Sequence, residues 1–97
     1  MIAQFTVIPI GMGESLSTYV AECVRIVEKS GLKYQLTPMC TIVEGNPDRV
    51  MNAIMSCHHK VRSMSRRVVT SIEIDDREGM MDAMEHKVAS VNTKLSR

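Results

Sequence analysis

Tryptophan is absent from the chain, phenylalanine occurs once (Phe5) and tyrosine twice (Tyr19 and Tyr34). A sheet that binds RNA needs exposed aromatic rings on which bases stack, so this scarcity argues against a nucleic-acid partner. Charge of one sign is also missing: 12 Lys and Arg offset 11 Asp and Glu, leaving +1, which gives no field for steering a polyanion or an anionic membrane. No apolar run approaches the roughly 18–20 residues of a membrane span. Met1 leads straight into Ile2 to Pro9 with neither a basic n-region nor a cleavage site, so the expectation is a cytoplasmic protein with a small-molecule or protein partner. Cysteine is sparse and odd in number: Cys23, Cys40 and Cys57 stand seventeen residues apart, which fits neither a disulfide framework nor a clustered thiolate metal site. Gly11 and Gly13 do not build the longer glycine patterns of a dinucleotide or phosphate loop.

What is present is an ordinary globular composition, 44% hydrophobic and 24% charged over 97 residues, with room for a single domain over residues 1–97 that buries about 60–65% of its unfolded surface. Ile2 to Pro9 alternates with period two, placing Ala3, Phe5 and Val7 on one face and Ile2, Gln4, Thr6 and Ile8 on the other, the mark of a strand. Leu16, Val20, Cys23, Val24 and Val27 recur at helical spacing, with Ser15 as the expected cap and Gly31 as the stop. Lys33–Thr37 and Cys40–Glu44 read as two short antiparallel strands around Pro38 and Met39. Asn46 before Pro47 signals a second helix to about Ser65, with an inner stripe of Val50, Ala53, Ile54, Cys57, Val61 and Met64. Arg67–Asp75 returns to period two. A third helix, capped by Asp76, is expected to run to about Leu95 with Met81, Met84, Val88, Val91 and Leu95 along one seam.

The order strand, helix, strand, strand, helix, strand is the split βαβ, ferredoxin-like α+β pattern: a four-stranded antiparallel sheet with two helices on one face, here with an added C-terminal helix. Right-handed crossovers place the first and third strands at the centre. The other face would leave Ile2, Ile8 and either Val69 or its alternating neighbours in water; together with the seam of the third helix this predicts self-association.

Candidate chemistry is thin. Glu44 closes a strand before Gly45-Asn46-Pro47, a place from which a carboxylate can be presented to a ligand amine or pyrimidine, although a carboxylate that tidies a turn is the plainer reading. Tyr34 offers a ring for stacking, and Thr41 and Thr70 offer hydroxyls, but all three are also common strand residues. His58 and His59 are about 100° apart on a helix and cannot readily share an ion; with His86 remote and no cysteine pair, no metal is expected. Ser17 has no histidine and acid at a diagnostic spacing. The methionines, nine in all, are explained by adaptable packing.

Taken together, Val7-Ile8-Pro9-Ile10-Gly11, Tyr19-Val20-Ala21, Ser30-Gly31-Leu32, then Tyr34, Leu36, Pro38, Met39, Thr41 and Glu44-Gly45 form a pattern that continues through His58, Arg67-Val68, Thr70, Ile74-Asp75-Asp76-Arg77 and Lys87-Val88. In these segments the chain resembles, over nearly its full length, the MTH1187/YkoF-like family, also called UPF0045 or the thiamine-binding protein family. The resemblance implies homodimers or homotetramers that bind thiamine or its hydroxymethylpyrimidine part, without catalysis and with no required cofactor. Carried onto this chain, it implies Tyr34, Thr41 and Glu44 as the main ligand wall, with Ser17, Met39, His58, Arg67 and Thr70 as further candidates. Glu44 would hydrogen-bond the aminopyrimidine while Tyr34 covers its rings. Two departures stand out: Cys40 replaces the glycine usual between methionine and threonine, and His59 replaces an acid after His58. The alternative is a structural or regulatory oligomer that binds another protein.

Overall fold

Alternation in the first strand sets the phase of everything else. The computed structural model describes residues 1–96, arranged as β1 (Ile2–Pro9), α1 (Ser17–Ser30), β2 (Lys33–Leu36), β3 (Thr41–Glu44), α2 (Pro47–Met64), β4 (Val68–Asp75) and α3 (Ala83–Lys94). The strands form one antiparallel sheet in the order β2-β3-β1-β4, with β1 and β3 central as the crossover rule requires. This is a ferredoxin-like α+β fold with an added C-terminal helix.

Register assigns each side chain to a face. Phe5 lies opposite Thr41 and Ile72, whereas Ile2 lies opposite Glu44 and Asp75. Ala3, Phe5, Val7 and Val43 therefore share the face that α1 and α2 cover. There they are buried with Cys23 and Val27 of α1 and Val50, Ile54, Cys57 and Val61 of α2, each large aliphatic contributing roughly 1.5–3 kcal/mol by leaving water. Ile2, Gln4, Thr6 and Ile8 share the opposite, open face with Lys33, Ile42, Glu44, Val69 and Asp75.

The helix ends divide into those with a local cap and those without. Asn46 caps α2 as expected, its side chain accepting from the amides of Asp48 at 2.9 Å and Arg49 at 3.5 Å, with Pro47 at the first helical position. Gly31 ends α1 in the left-handed region at φ 75°. Ser15 does not cap α1: that helix begins two residues later, with Leu16 at the cap position and no side-chain hydrogen bond. Glycines at φ 82° and 88°, Gly11 and Gly13, turn the chain through the segment before it, so the start of α1 is set by the incoming loop rather than by a serine.

The third helix departs furthest from expectation. It starts at Ala83 rather than after Asp76, so Met81 lies outside it, and the Asp82 side chain at the cap position accepts no hydrogen bond from the helix's own amides. Its cap comes from another element, the Glu44 carboxylate of β3. Beyond that anchor α3 is tied to the sheet by the ion pairs of Glu85 with Lys33 and of Lys87 with Asp75, and Val88, Val91 and Leu95 are exposed. The Cα radius of gyration is 14.6 Å, with extents of 46 × 27 × 20 Å, against about 12.5 Å for a compact chain of this length.

Candidate functional site

The 37–40 turn builds one wall of a cleft. The Thr37 hydroxyl accepts from the Cys40 amide at 3.1 Å and the Met39 amide at 3.3 Å and donates to the Cys40 carbonyl at 2.9 Å. Pro38 lies inside this loop, so the connection between β2 and β3 is fixed by one side chain. The Cys40 thiol lies 3.5 Å from the same hydroxyl and donates to the Gln4 side-chain oxygen at 3.7 Å. Between this turn, the C-terminal end of β1 and the start of α1 lies a cleft of about 230 Å³. Phe5, Val7, Leu16 and Val20 supply apolar walls, and Thr37, Cys40 and Thr41 supply the polar groups. That is below the ~300–1,000 Å³ of a pocket for a drug-sized molecule, a size suited to a single small ring.

The eight candidates do not converge on this cleft. Met39 and Thr41 line it. Ser17, the first residue of α1, lies beside it in a shallow depression that it shares with Val20, Leu36 and Thr37. Tyr34 is half-buried on the helix-covered side of β2, opposite Val43; its phenol is held above the usual range, first by desolvation and then by the Glu28 carboxylate. His58 and Thr70 meet elsewhere, sharing a hydrogen bond of 2.6 Å between Nδ1 and the hydroxyl that ties α2 to β4. Arg67 is exposed before β4, and its carbonyl accepts from the Ile10 amide at 2.8 Å and the Ser65 hydroxyl at 3.0 Å.

Glu44 has a different setting again. It stands on the open face opposite Ile2 and is nonetheless buried, because the first turn of α3 sits on it. Its carboxylate accepts from the Ala83 amide and, at 3.4 Å, from the Met84 amide. Charge and geometry both favour this, since the amides at a helix start are unpaired and carry partial positive charge. Lys33 braces the same joint, with its ammonium 2.7 Å from Asp82 and 3.2 Å from Glu85, and Lys87 pairs with Asp75. Tyr34 and Glu44 thus lie on opposite sides of the sheet, and the expected Tyr-Thr-Glu wall does not form within one subunit.

Sequence reasoning missed Thr37, whose position before Pro38 is the signal that would have found it. It also missed the anchoring of α3 by Glu44, a contact across 39 positions that no local pattern encodes. Among the described residues no group of three His, Cys, Asp or Glu side chains could hold a metal ion, and no helix is long and apolar enough to cross a membrane. The three cysteines are free. Cys57 donates to the Cys23 carbonyl at 3.4 Å, and its thiol is pushed far up by its hydrogen bond to Cys23 and by burial, which keeps it protonated and unreactive.

Comparison with known proteins gives a consistent set. Residues 3–92 match the family model described as "Thiamine-binding protein". The UPF0045 protein YqgV of Bacillus subtilis is 40% identical over 97% of this chain and 96% of its own length, and a UPF0045 protein of Methanothermobacter thermautotrophicus is 38% identical over 96% and 97%. The crystal structure of the hypothetical protein MJ1052 of Methanocaldococcus jannaschii superposes with a TM-score of 0.88 at 32% identity, covering 94% of each chain. A match across the whole sheet, both packed helices and most of α3, joined to curated relatives at this identity and coverage, means that the chain belongs to the thiamine-binding protein family, whose curated members here carry the designation UPF0045.

Proposed function

We propose that this protein is a cytoplasmic, self-associating, non-catalytic binder of the hydroxymethylpyrimidine moiety, free or as part of thiamine. The observation that carries the reading is the cleft beside the 37–40 turn, a small apolar slot with a few fixed polar groups in a member of a family described as thiamine-binding. Phe5, Val7 and Leu16 offer apolar area to a flat ring, and the Thr41 hydroxyl offers a hydrogen bond to a ring nitrogen or an amine, while the Thr37 hydroxyl is committed to holding the turn. The volume favours one ring over two, so hydroxymethylpyrimidine is expected to bind at least as tightly as thiamine. Met39, exposed at the rim, serves as an adaptable cover, and Ser17 borders the mouth. Tyr34, Glu44, His58, Arg67 and Thr70 act on a ligand only from a second subunit or at a shared boundary. Self-association is supported by Ile8 and Val69 exposed as neighbours on the open face and by exposed Val88 and Val91 on α3 with Leu95 at its end.

Calorimetric titration with hydroxymethylpyrimidine and with thiamine tests this, followed by Thr41→Val, which removes a hydroxyl with little change in shape. Binding weakened about tenfold or more by the substitution supports the cleft, since an unpaired polar partner costs about 1–3 kcal/mol. Unchanged affinity moves the site elsewhere, and silence of both compounds at millimolar concentration ends the ligand reading. The exposed α3 stripe also supports a second reading, a regulatory oligomer that engages another protein without a small ligand; a defined complex of fixed stoichiometry that Val91→Glu abolishes, with both titrations silent, selects it.

A further inference from the structure

β1 outruns β3. Their register runs from Ile2 opposite Glu44 to Phe5 opposite Thr41 and stops there, while β1 continues to Pro9. On its other side β1 pairs with β4 over all eight residues, so the length beyond Phe5 has one satisfied edge and one free edge. Alternation decides which groups point to the free one. The Gly45 amide donates to the Met1 carbonyl at 3.0 Å and the Ile10 amide to the Arg67 carbonyl at 2.8 Å. Odd-numbered residues of β1 therefore direct their N–H and C=O toward β3, and even-numbered ones toward β4.

Val7 is the first odd residue past the end of the pairing. Continued register would set it against Met39, but the turn has committed its own groups: the Met39 and Cys40 amides both donate to the Thr37 hydroxyl. Among the described residues no backbone group pairs with the Val7 N–H or C=O. Val7 is buried, and buried backbone groups are nearly always paired, so this donor and acceptor call for a partner. The next odd residue is Pro9, which has no N–H. The free edge thus offers a single donor, too little for an added peptide strand. It does open into a cavity. Phe5 and Val7 of the helix-covered side and Thr6 and Ile8 of the open side all line the cleft beside the 37–40 turn. Strand neighbours that point to opposite faces share a cavity only where it runs along the strand's edge.

We infer that the Val7 backbone is the recognition element of this cleft, its N–H donating to a ring nitrogen and its C=O accepting from an amine on the adjacent ring carbon. The N–H and C=O of one strand residue point the same way, side by side, as they would toward a residue of a partner strand. A planar amidine edge, N–C–NH2, answers them with an acceptor and a donor in one plane, which makes the ligand class a small heteroaromatic ring with an amine beside a ring nitrogen. Such a ring extends the sheet by one residue, with Phe5 and Leu16 lending apolar area. The Thr41 hydroxyl is left for the second amine hydrogen or another ring nitrogen. The inference rests on the pyrimidine-binding reading above and deepens it by naming the atoms that select the amine-bearing edge.

Amide hydrogen exchange followed by NMR on the full chain tests it. Without ligand, the Val7 amide should exchange about tenfold faster or more than that of Phe5, which β3 pairs. Saturating hydroxymethylpyrimidine should slow Val7 by about tenfold or more beyond the uniform slowing that binding confers, read at Val43. The analogue with C–H in place of the ring nitrogen beside the amine keeps the shape; it should bind about tenfold more weakly or worse and leave the Val7 amide near its free rate. A Val7 amide as protected as that of Phe5 in the free protein overturns the inference alone, since the group is then already paired. Hydroxymethylpyrimidine that binds, and is weakened by Thr41→Val, while Val7 exchange stays unchanged does the same. An analogue that binds as tightly as hydroxymethylpyrimidine also overturns the Val7 contact and spares the cleft. Silence of hydroxymethylpyrimidine and thiamine at millimolar concentration removes the ligand reading and this inference together.

Discussion

The two faces of the sheet carry similar alternating strands and meet different fates. On the helix-covered side Phe5 is 3% exposed, whereas Ile8, three residues along on the other side, is 39% exposed. The difference does not come from the strand sequence, since both are large apolar residues of β1. It comes from cover: α1 and α2 bring Val27, Val50, Ile54 and Val61 onto one face, while the other meets the start of α3, through its first turn at Glu44 and through Lys87 at Asp75. Where that turn lands, even a carboxylate is buried. The lesson is that period-two alternation fixes which residues travel together, and the helices decide which set becomes the core.

The largest expected effect sets these two positions against each other. Phe5→Ala should cost about 3–5 kcal/mol in urea unfolding, the range for emptying a packed aromatic site. Ile8→Ala should cost under about 1 kcal/mol if the open face is wet. A loss at Ile8 approaching that at Phe5, and growing with protein concentration, would mean that another copy covers the open face and that both faces are cores in the assembly.

A second contrast lies within β3, where Thr41 points to the helices and Glu44 to α3. Glu44→Gln keeps the shape but removes the charge that faces the amides of Ala83 and Met84, and should cost about 1–2 kcal/mol. Hydrogen exchange reads it locally: amides in the first turn of α3 should exchange about tenfold faster or more, while those of Phe5 and Val43 keep their protection. Unchanged exchange in α3 would show that the carboxylate does not hold the helix. Calorimetry on the same variant separates anchoring from ligand contact.

This contrast also marks how far the sequence could be read. Strand phase, strand order, the Asn46 cap and the helical stripes are local or pairwise consequences of spacing, and each is legible because a single period or cap chemistry determines it. The start of α1 was not, since Ser15 has the right chemistry but the glycine-turned loop delivers the chain to Ser17 instead. The start of α3 was hidden for a stronger reason: its cap is Glu44, remote in sequence, so Asp76 drew an assignment that the fold gives to another strand. The site was less legible still. Tyr34, Thr41 and Glu44 look contiguous along the chain, yet alternation and the intervening turn send Glu44 to the face opposite Tyr34 and Thr41. Thr37, which fixes the wall of the cleft, looked like a strand end.

The smallest expected effect tests the ion pairs that steady α3 against the sheet. Asp82 is held below its ordinary value of about 3.8, first by its hydrogen bond to Lys33, and Asp75 likewise by Lys87, while Lys33 is held above its ordinary 10.5 by Asp82 and Glu85. A depressed carboxylate stabilises the docked helix above its unfolded pKa, and that contribution is lost as pH falls through the lower folded value; a raised lysine contributes below 10.5 and is lost as pH rises through its higher folded value. These groups are exposed, so the contribution is small and screened by salt. Titration of the Asp82 side chain by NMR should give a midpoint below 3.8, and Lys33→Met should return it toward 3.8 while leaving that of Asp75 in place. The first turn of α3 should loosen only below about pH 4 and above about pH 10.5. An Asp82 midpoint already at the ordinary value in the wild type would mean that Lys33 does not engage it in solution, leaving Glu44 as the principal contact between α3 and the open face.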